Sequence, residues 1–203
     1  MVQYKKDDIK EKIDKAALTV FAEKGYRNTK ISDIADCAGV SVGNIYRYYN
    51  SKATIFHTIV PESFFASVKQ LLYDKIFAAK NKKIERIEEI DQFWMVNHEV
   101  IRFMVENRER MLIVFQRSQG TKFENAKEAL VDFLIKIARD HFITQHNQLL
   151  GEDTEDVVLK VIYENLMHMT LRILEETKDL NQVIRRLKSI NSYHLFGITS
   201  LFQ

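Results

Sequence analysis

Within two dozen residues the chain places Thr29, Lys30, Ser41, Asn44, Tyr46, Arg47, Tyr48 and Lys52. Hydroxyl, amide and cationic groups at this density can hydrogen-bond to phosphates and to base edges. Asn44 carries a donor and an acceptor together, the pairing suited to adenine, and Val42 can touch a thymine methyl. Gly43 lets a backbone come close. Arg47, one turn further on, can reach guanine or a phosphate, and its type and spacing leave the two open.

Such groups are useful only if short helices hold them in register, and the same stretch carries the punctuation for that. Thr29 is placed to cap a second helix whose inward positions are Ile31, Ile34, Ala35 and Ala38. Gly39 makes a tight turn, Val40 plugs the space between helices, and Ser41 caps a third helix. Asn50-Ser51 closes that helix, and Ser51 caps the next. This is the layout of a helix-turn-helix, which sets one helix in the DNA major groove. Ile45 and Tyr49 are expected to pack that helix against the first. The first helix has an apolar stripe of Ile9, Ile13, Ala16, Ala17, Val20 and Phe21. Asp8 with Glu11 resembles a capping box at its start, Gly25 stops it, and Tyr26 can fold back on the stripe.

Six Gly and one Pro in 203 residues leave few turns and long helices, which predicts an all-α fold of about nine helices. A long fourth helix is expected from Ser51 to about Ala79, interrupted near Pro61 because proline removes a backbone donor and clashes with the preceding turn. Further helices are expected over 83–106, 107–117, 122–149, 154–177 and 180–202, broken at Gly120, Gly151 and Lys178-Asp179. The expected organisation is a three-helix head over 1–52, joined through the fourth helix to a helical domain over 53–203.

Residues 1–52 hold ten Lys/Arg against seven Asp/Glu, a net of +3, whereas 53–203 hold twenty against twenty-one, a net of −1. The positive excess lies where phosphate attraction would need it. A single cysteine, Cys37, forms no intramolecular disulfide, which suits a reducing cytoplasm; inert packing is its expected role. No apolar run matches a signal peptide core or a bilayer span, so a cytoplasmic protein without membrane partners is expected. His141 and His146 are five apart, off one helical face, and no Cys/His or His-x-x-x-His spacing occurs. No metal, no cofactor and no enzymatic motif is therefore expected.

Phe21-Ala-Glu-Lys-Gly-Tyr-Arg-Asn-Thr, followed by Ala38-Gly-Val-Ser-Val-Gly-Asn-Ile-Tyr-Arg-Tyr-Tyr-Asn-Ser-Lys, resembles the tetracycline-repressor (TetR/AcrR) family of bacterial transcription regulators. The resemblance covers roughly residues 8 to 56. It implies that the third helix enters the major groove while the second crosses the backbone. Tyr46, Tyr48 and Lys52 then stand where family members contact phosphate. Thr29 can offer its hydroxyl and the second helix's N-terminus to a phosphate, with Lys30 adding charge.

One recognition helix binds weakly, so a double-stranded DNA operator calls for a homodimer reading two half-sites. The last two helices are expected to form its interface through Val158, Val161, Ile162, Leu166, Met169, Ile173 and Leu174, with Val183, Ile184, Leu187, Ile190, Leu195, Ile198 and Leu201. The resemblance further implies a cavity among the helices of 83–150 for a small hydrophobic or aromatic effector. Trp94, Phe115 and Met167 are its candidate walls, with His98 or His168 as polar features. The expected function is a homodimeric repressor released from its operator by such an effector. The alternatives are a DNA-bound adaptor recruiting a protein partner without a ligand, or a helical enzyme with convergent polar groups in the cavity.

Overall fold

The structure, a computed structural model, describes residues 2–79, 97–142 and 152–199. Among the described residues all regular structure is helical: α1 (Val2–Asn28), α2 (Ile31–Ala38), α3 (Val42–Tyr46), α4 (Lys52–Ile59), α5 (Glu62–Ala79), α6 (His98–Glu106), α7 (Arg108–Gln116), α8 (Ala126–Phe142), α9 (Glu152–Glu176) and α10 (Leu180–Thr199). The all-α class is as expected. Among the described residues the fourth expected helix is divided into α4 and α5 at the expected interruption. Pro61 drives its predecessor out of the helical region, and Val60 sits at φ −124°, ψ 77°.

The chain forms two compact units, Met1–Phe65 with Glu109–Ala126, and Ala66–Arg108 with Lys127–Gln203. The first unit is built on the stripe of α1. Ile13, Ala17 and Phe21 are fully buried, as are Ile34 of α2, Ile45 of α3 and Ile55 and Phe56 of α4. Phe56 meets Phe21 and Tyr26 edge-on at ring-centroid distances of 5.5 and 5.0 Å. Such pairs add about 0.5–1.5 kcal/mol each beyond the area they bury. Tyr26 does fold back, 5.8 Å from Phe21. Met111 to Phe115 of α7 are all buried, so this helix is enclosed on every side. Its following turn is held by Ser118, whose buried hydroxyl lies 2.9 Å from the Val114 carbonyl and 2.8 Å from that of Phe123.

Two local expectations are corrected here. The first helix already runs from Val2, so Asp8 and Glu11 lie inside it; no Gly or Pro precedes Asp8 to delay helix formation. Glu11 instead pairs with Lys15 one turn on, at 2.6 Å. Regular helix in α3 ends at Tyr46 rather than near Asn50. Arg47 and Tyr48 continue in tighter turns, their amides donating to the carbonyls three residues back at Asn44 and Ile45. Gly25 does interrupt α1, at φ 77°, ψ 159°.

In the second unit Val100, Ile101 and Met104 of α6, Leu130 and Leu134 of α8, Leu166 and Leu171 of α9 and Leu187 of α10 are buried. The α9–α10 break falls where expected. Asp179 caps α10, its carboxylate accepting from the Gln182 amide at 2.7 Å. Arg108 caps the other side of the break, with Nη2 donating to the Glu175 carbonyl at 2.9 Å and Nε to that of Leu174. Of the apolar residues assigned to a dimer face, Leu166, Ile173, Leu174, Val183 and Leu187 are instead buried in this unit. Helices α9 and α10 use that apolar surface to pack on each other, and α10 also packs on α6. Val161 keeps half its surface exposed, and Val157, one turn earlier, keeps 65%.

Candidate nucleic-acid interface

Ser41 caps α3 as expected, its Oγ accepting from the Asn44 amide at 3.1 Å. This fixes the first turn. The helix then divides by face: Ile45 and Tyr49 are buried, while Val42 and Tyr46 are 39% and 53% exposed. Ser41, Gly43 and Arg47 are also exposed, and Asn44 and Tyr48 are half-buried. A large aliphatic and a phenol are left in solvent one turn apart, beside a guanidinium and an amide. Their shared exposure follows from helical spacing once Ile45 is fixed in the core.

The anchor of this arrangement is polar as well as apolar. The Tyr49 hydroxyl donates to the Asp14 carboxylate of α1. Asp14 also holds Lys10 at 2.9 Å, and the Lys10 ammonium stands 5.4 Å from the Tyr49 ring centre. Burial, together with the bond to Asp14, raises the Tyr49 phenol above its ordinary pKa. The bonds to Asp14 and Tyr49 raise that of Lys10. Asp14 went unrecognised in the sequence, although a carboxylate next to Ile13 on the buried stripe was a usable signal.

The entry to α2 differs from expectation. Lys30, not Thr29, occupies the cap position, and its amide is held by the Asp33 carboxylate at 2.8 Å. Lys24 pairs with the same carboxylate at 2.9 Å. The Lys30 amide first, then Lys24, holds the Asp33 carboxyl below the usual carboxylate range. Thr29 is buried, and its hydroxyl donates back to the Gly25 carbonyl at 2.7 Å. The Thr29 amide donates to the same carbonyl at 3.2 Å, so the hydroxyl makes the usual threonine bond to the turn before it. Lys30 itself is exposed.

Lys52, at the start of α4, is likewise occupied within the protein. Its ammonium donates to the Tyr26 and Thr29 carbonyls at 2.7 and 2.8 Å and stands 4.5 Å from the Tyr26 ring centre. Desolvation lowers its pKa. Cys37 is exposed on α2, not packed, because the buried face of that short helix is taken by Ile34 and Ala35.

Of the five candidate effector residues, His98, Phe115, Met167 and His168 are among the described residues. Trp94 lies outside the described residues. Phe115 belongs to the first unit, its ring 6.0 Å from that of Phe65. His98, Met167 and His168 belong to the second, where Met167 is buried and both histidines are exposed. A solvent-open groove of about 450 Å³ in the second unit is lined by Asp132, Ile135, Lys136, Arg139, Asp140 and Lys160. It is a charged groove, and its described lining includes none of the four described candidates. Among the described residues no group of three His, Cys, Asp or Glu is placed to hold a metal. Nor, among them, is any helix long and apolar enough to cross a membrane.

Residues 13–59 match the model of the bacterial regulatory proteins, tetR family. The matched span runs from the α1 core through the exposed face of α3 to the end of α4. Over 116 residues the chain is 28% identical to the biofilm operon icaADBC HTH-type negative transcriptional regulator IcaR of Staphylococcus aureus, covering 57% of this chain and 56% of that protein. The chain thus spans about half the length of this relative. It is 44% identical over 44 residues to the HTH-type transcriptional repressor KstR2 of Rhodococcus jostii, covering 22% of each. A TetR-like transcriptional regulator from Rhodococcus sp. RHA1 shares the fold, with a TM-score of 0.53 at 16% identity over 93% of this chain and 96% of that one. The capped α2–α3 turn, the buried and exposed faces of α3 and these matches agree: residues 13–59 are similar to the bacterial regulatory proteins of the tetR family.

Proposed function

We propose that the protein is a DNA-binding transcriptional regulator, a homodimer that represses by occupying an operator and is released by a small hydrophobic effector. The observation that carries this reading is the exposure of Val42 and Tyr46 on a helix whose opposite face is locked into the α1 core. Soluble proteins tolerate an exposed valine, but an aliphatic and an aromatic beside Asn44 and Arg47 form a surface matched to base edges and methyl groups. In this role Ser41, Val42, Gly43 and Asn44 meet bases, Arg47 meets guanine or phosphate, and Tyr46, Tyr48, Lys30 and the α2 N-terminus meet phosphate. The repressor names of the two relatives support the sign of regulation.

The homodimer rests on Val157 and Val161, exposed one turn apart on α9. Doubling the recognition helix supplies the affinity that one lacks, and the spacing of the two helices sets the half-site separation. An effector with greater affinity for a differently spaced state shifts the population off DNA by that difference in affinity. Selection of duplexes from a random-sequence library by the purified protein tests the reading. A paired half-site motif is expected, bound in a salt-dependent and sequence-selective way. Enrichment of no motif would sink it.

A further inference from the structure

Three polar clamps in the first unit close on one another. Lys52, on the first turn of α4, holds the carbonyls of Tyr26 and Thr29 just beyond the Gly25 break. At the other end of α4, Arg110 Nε donates to the Ile59 carbonyl at 2.7 Å. At the far end of α7, the Arg117 carbonyl accepts from the Tyr26 amide at 2.9 Å, returning to the segment that Lys52 holds.

Each clamp meets a backbone group that helix ends leave unsatisfied. The last carbonyls of a helix have no donor within it and sit at the negative end of its dipole. Pro61 ends α4 after Val60, and this makes the Ile59 carbonyl available to Arg110. Gly25 ends the regular run of α1, which frees the Tyr26 amide and turns the carbonyls beyond it toward Lys52. The two sequence breaks thus create the sockets that the two cations fill. Helix α3 is tied to this frame, through Tyr49 to α1 and through Ser51 to α4, and packs on α2.

We propose that Lys52 and Arg110 are a pair of positioning residues that fix how α3 is presented to DNA by closing the α1–α4–α7 frame. Arg110 touches no base or phosphate in this role, and the Lys52 ammonium serves carbonyls rather than phosphate. The proposal rests on the DNA-binding reading above.

The test uses the full chain and two duplexes, one enriched from a random library by the wild-type protein and one unrelated, in anisotropy titrations across a salt series. Lys52→Met and Arg110→Met are each expected to lower affinity for the enriched duplex about tenfold, as loss of a charge-assisted bond allows. The unrelated duplex should be bound nearly as before, and the salt slope should stay at its wild-type value. The double variant should lose little more than either single one, because one broken clamp opens the frame. Arg110→Lys, which can still reach one carbonyl, should recover part of the loss and stands in for Arg110→Met should that variant fail to fold.

A slope lowered by about 1 in Lys52→Met would make its ammonium a phosphate contact and overturn its assignment. Equal losses on both duplexes, or fully additive losses, would reduce the clamps to independent stabilising bonds. If the wild-type protein itself prefers no duplex, the regulatory reading fails and the proposal with it; if only the variants behave otherwise than stated, the proposal alone fails.

Discussion

Asn44 occupies the first turn of α3 with its backbone N–H committed to Ser41 and its side chain half-buried beside exposed Val42 and Arg47. Asn44→Ala should therefore weaken binding to a selected operator by about 1–3 kcal/mol and relax base preference at one position per half-site. Repeating the library selection with the variant, alongside titration on the original duplex, measures both. An unchanged motif would remove Asn44 from the base contacts. Asp33 offers a different handle, through pH. Its folded carboxyl titrates below the ordinary value of 3.8, so its stabilising contribution is present above 3.8 and is lost as pH falls through the lowered value. Thermal melts of Asp33→Asn and wild type should differ at pH 7 and converge in strong acid. A gap that persists at pH 2 would mean that shape, not charge, makes Asp33 useful at the α2 entry.

The helices themselves are shaped at their breaks. Gly25 holds φ 77°, ψ 159°, a region that side chains rarely enter, and an added Cβ would lie 3.4 Å from the Arg117 carbonyl. Gly25→Ala should cost about 1–3 kcal/mol of stability, read from the urea midpoint at constant slope. A loss below a few tenths would show that the break relaxes freely. Pro61 acts by a different route, restricting Val60 and dividing one expected helix into α4 and α5. Both breaks were legible in the sequence, since Gly and Pro act locally on the backbone. The partners their freed groups would find were not. Arg117, Arg110 and Lys52 lie far along the chain from the groups they hold, and nothing in local spacing pairs them.

Over the molecule as a whole, the apolar residues of α9 and α10 divide between an internal core and a remainder open to solvent. Val157 and Val161 are the most exposed of that remainder among the described side chains. Val157→Asp with Val161→Glu should convert a dimer to monomers at micromolar concentration in sedimentation velocity, with the helical circular dichroism unchanged. A dimer that survives both charges must use another surface.

The sequence by itself determined the all-α class, the Ser41 cap, the Ile45 and Tyr49 anchors and the polar face of α3. Each of these depends on residues within a few turns of one another, where helical period and cap chemistry act directly. It misassigned Thr29 as a cap and read Leu166, Leu174 and Leu187 as surface for a partner. An amphipathic stripe shows that a helix buries one face but not against what. Only the tertiary structure decided that α7 joins the first unit, that Asp14 receives Tyr49, and that Lys52 serves the carbonyl end of α1. Those outcomes depend on which distant groups meet when the cores close, and on the need of every buried polar group for a partner.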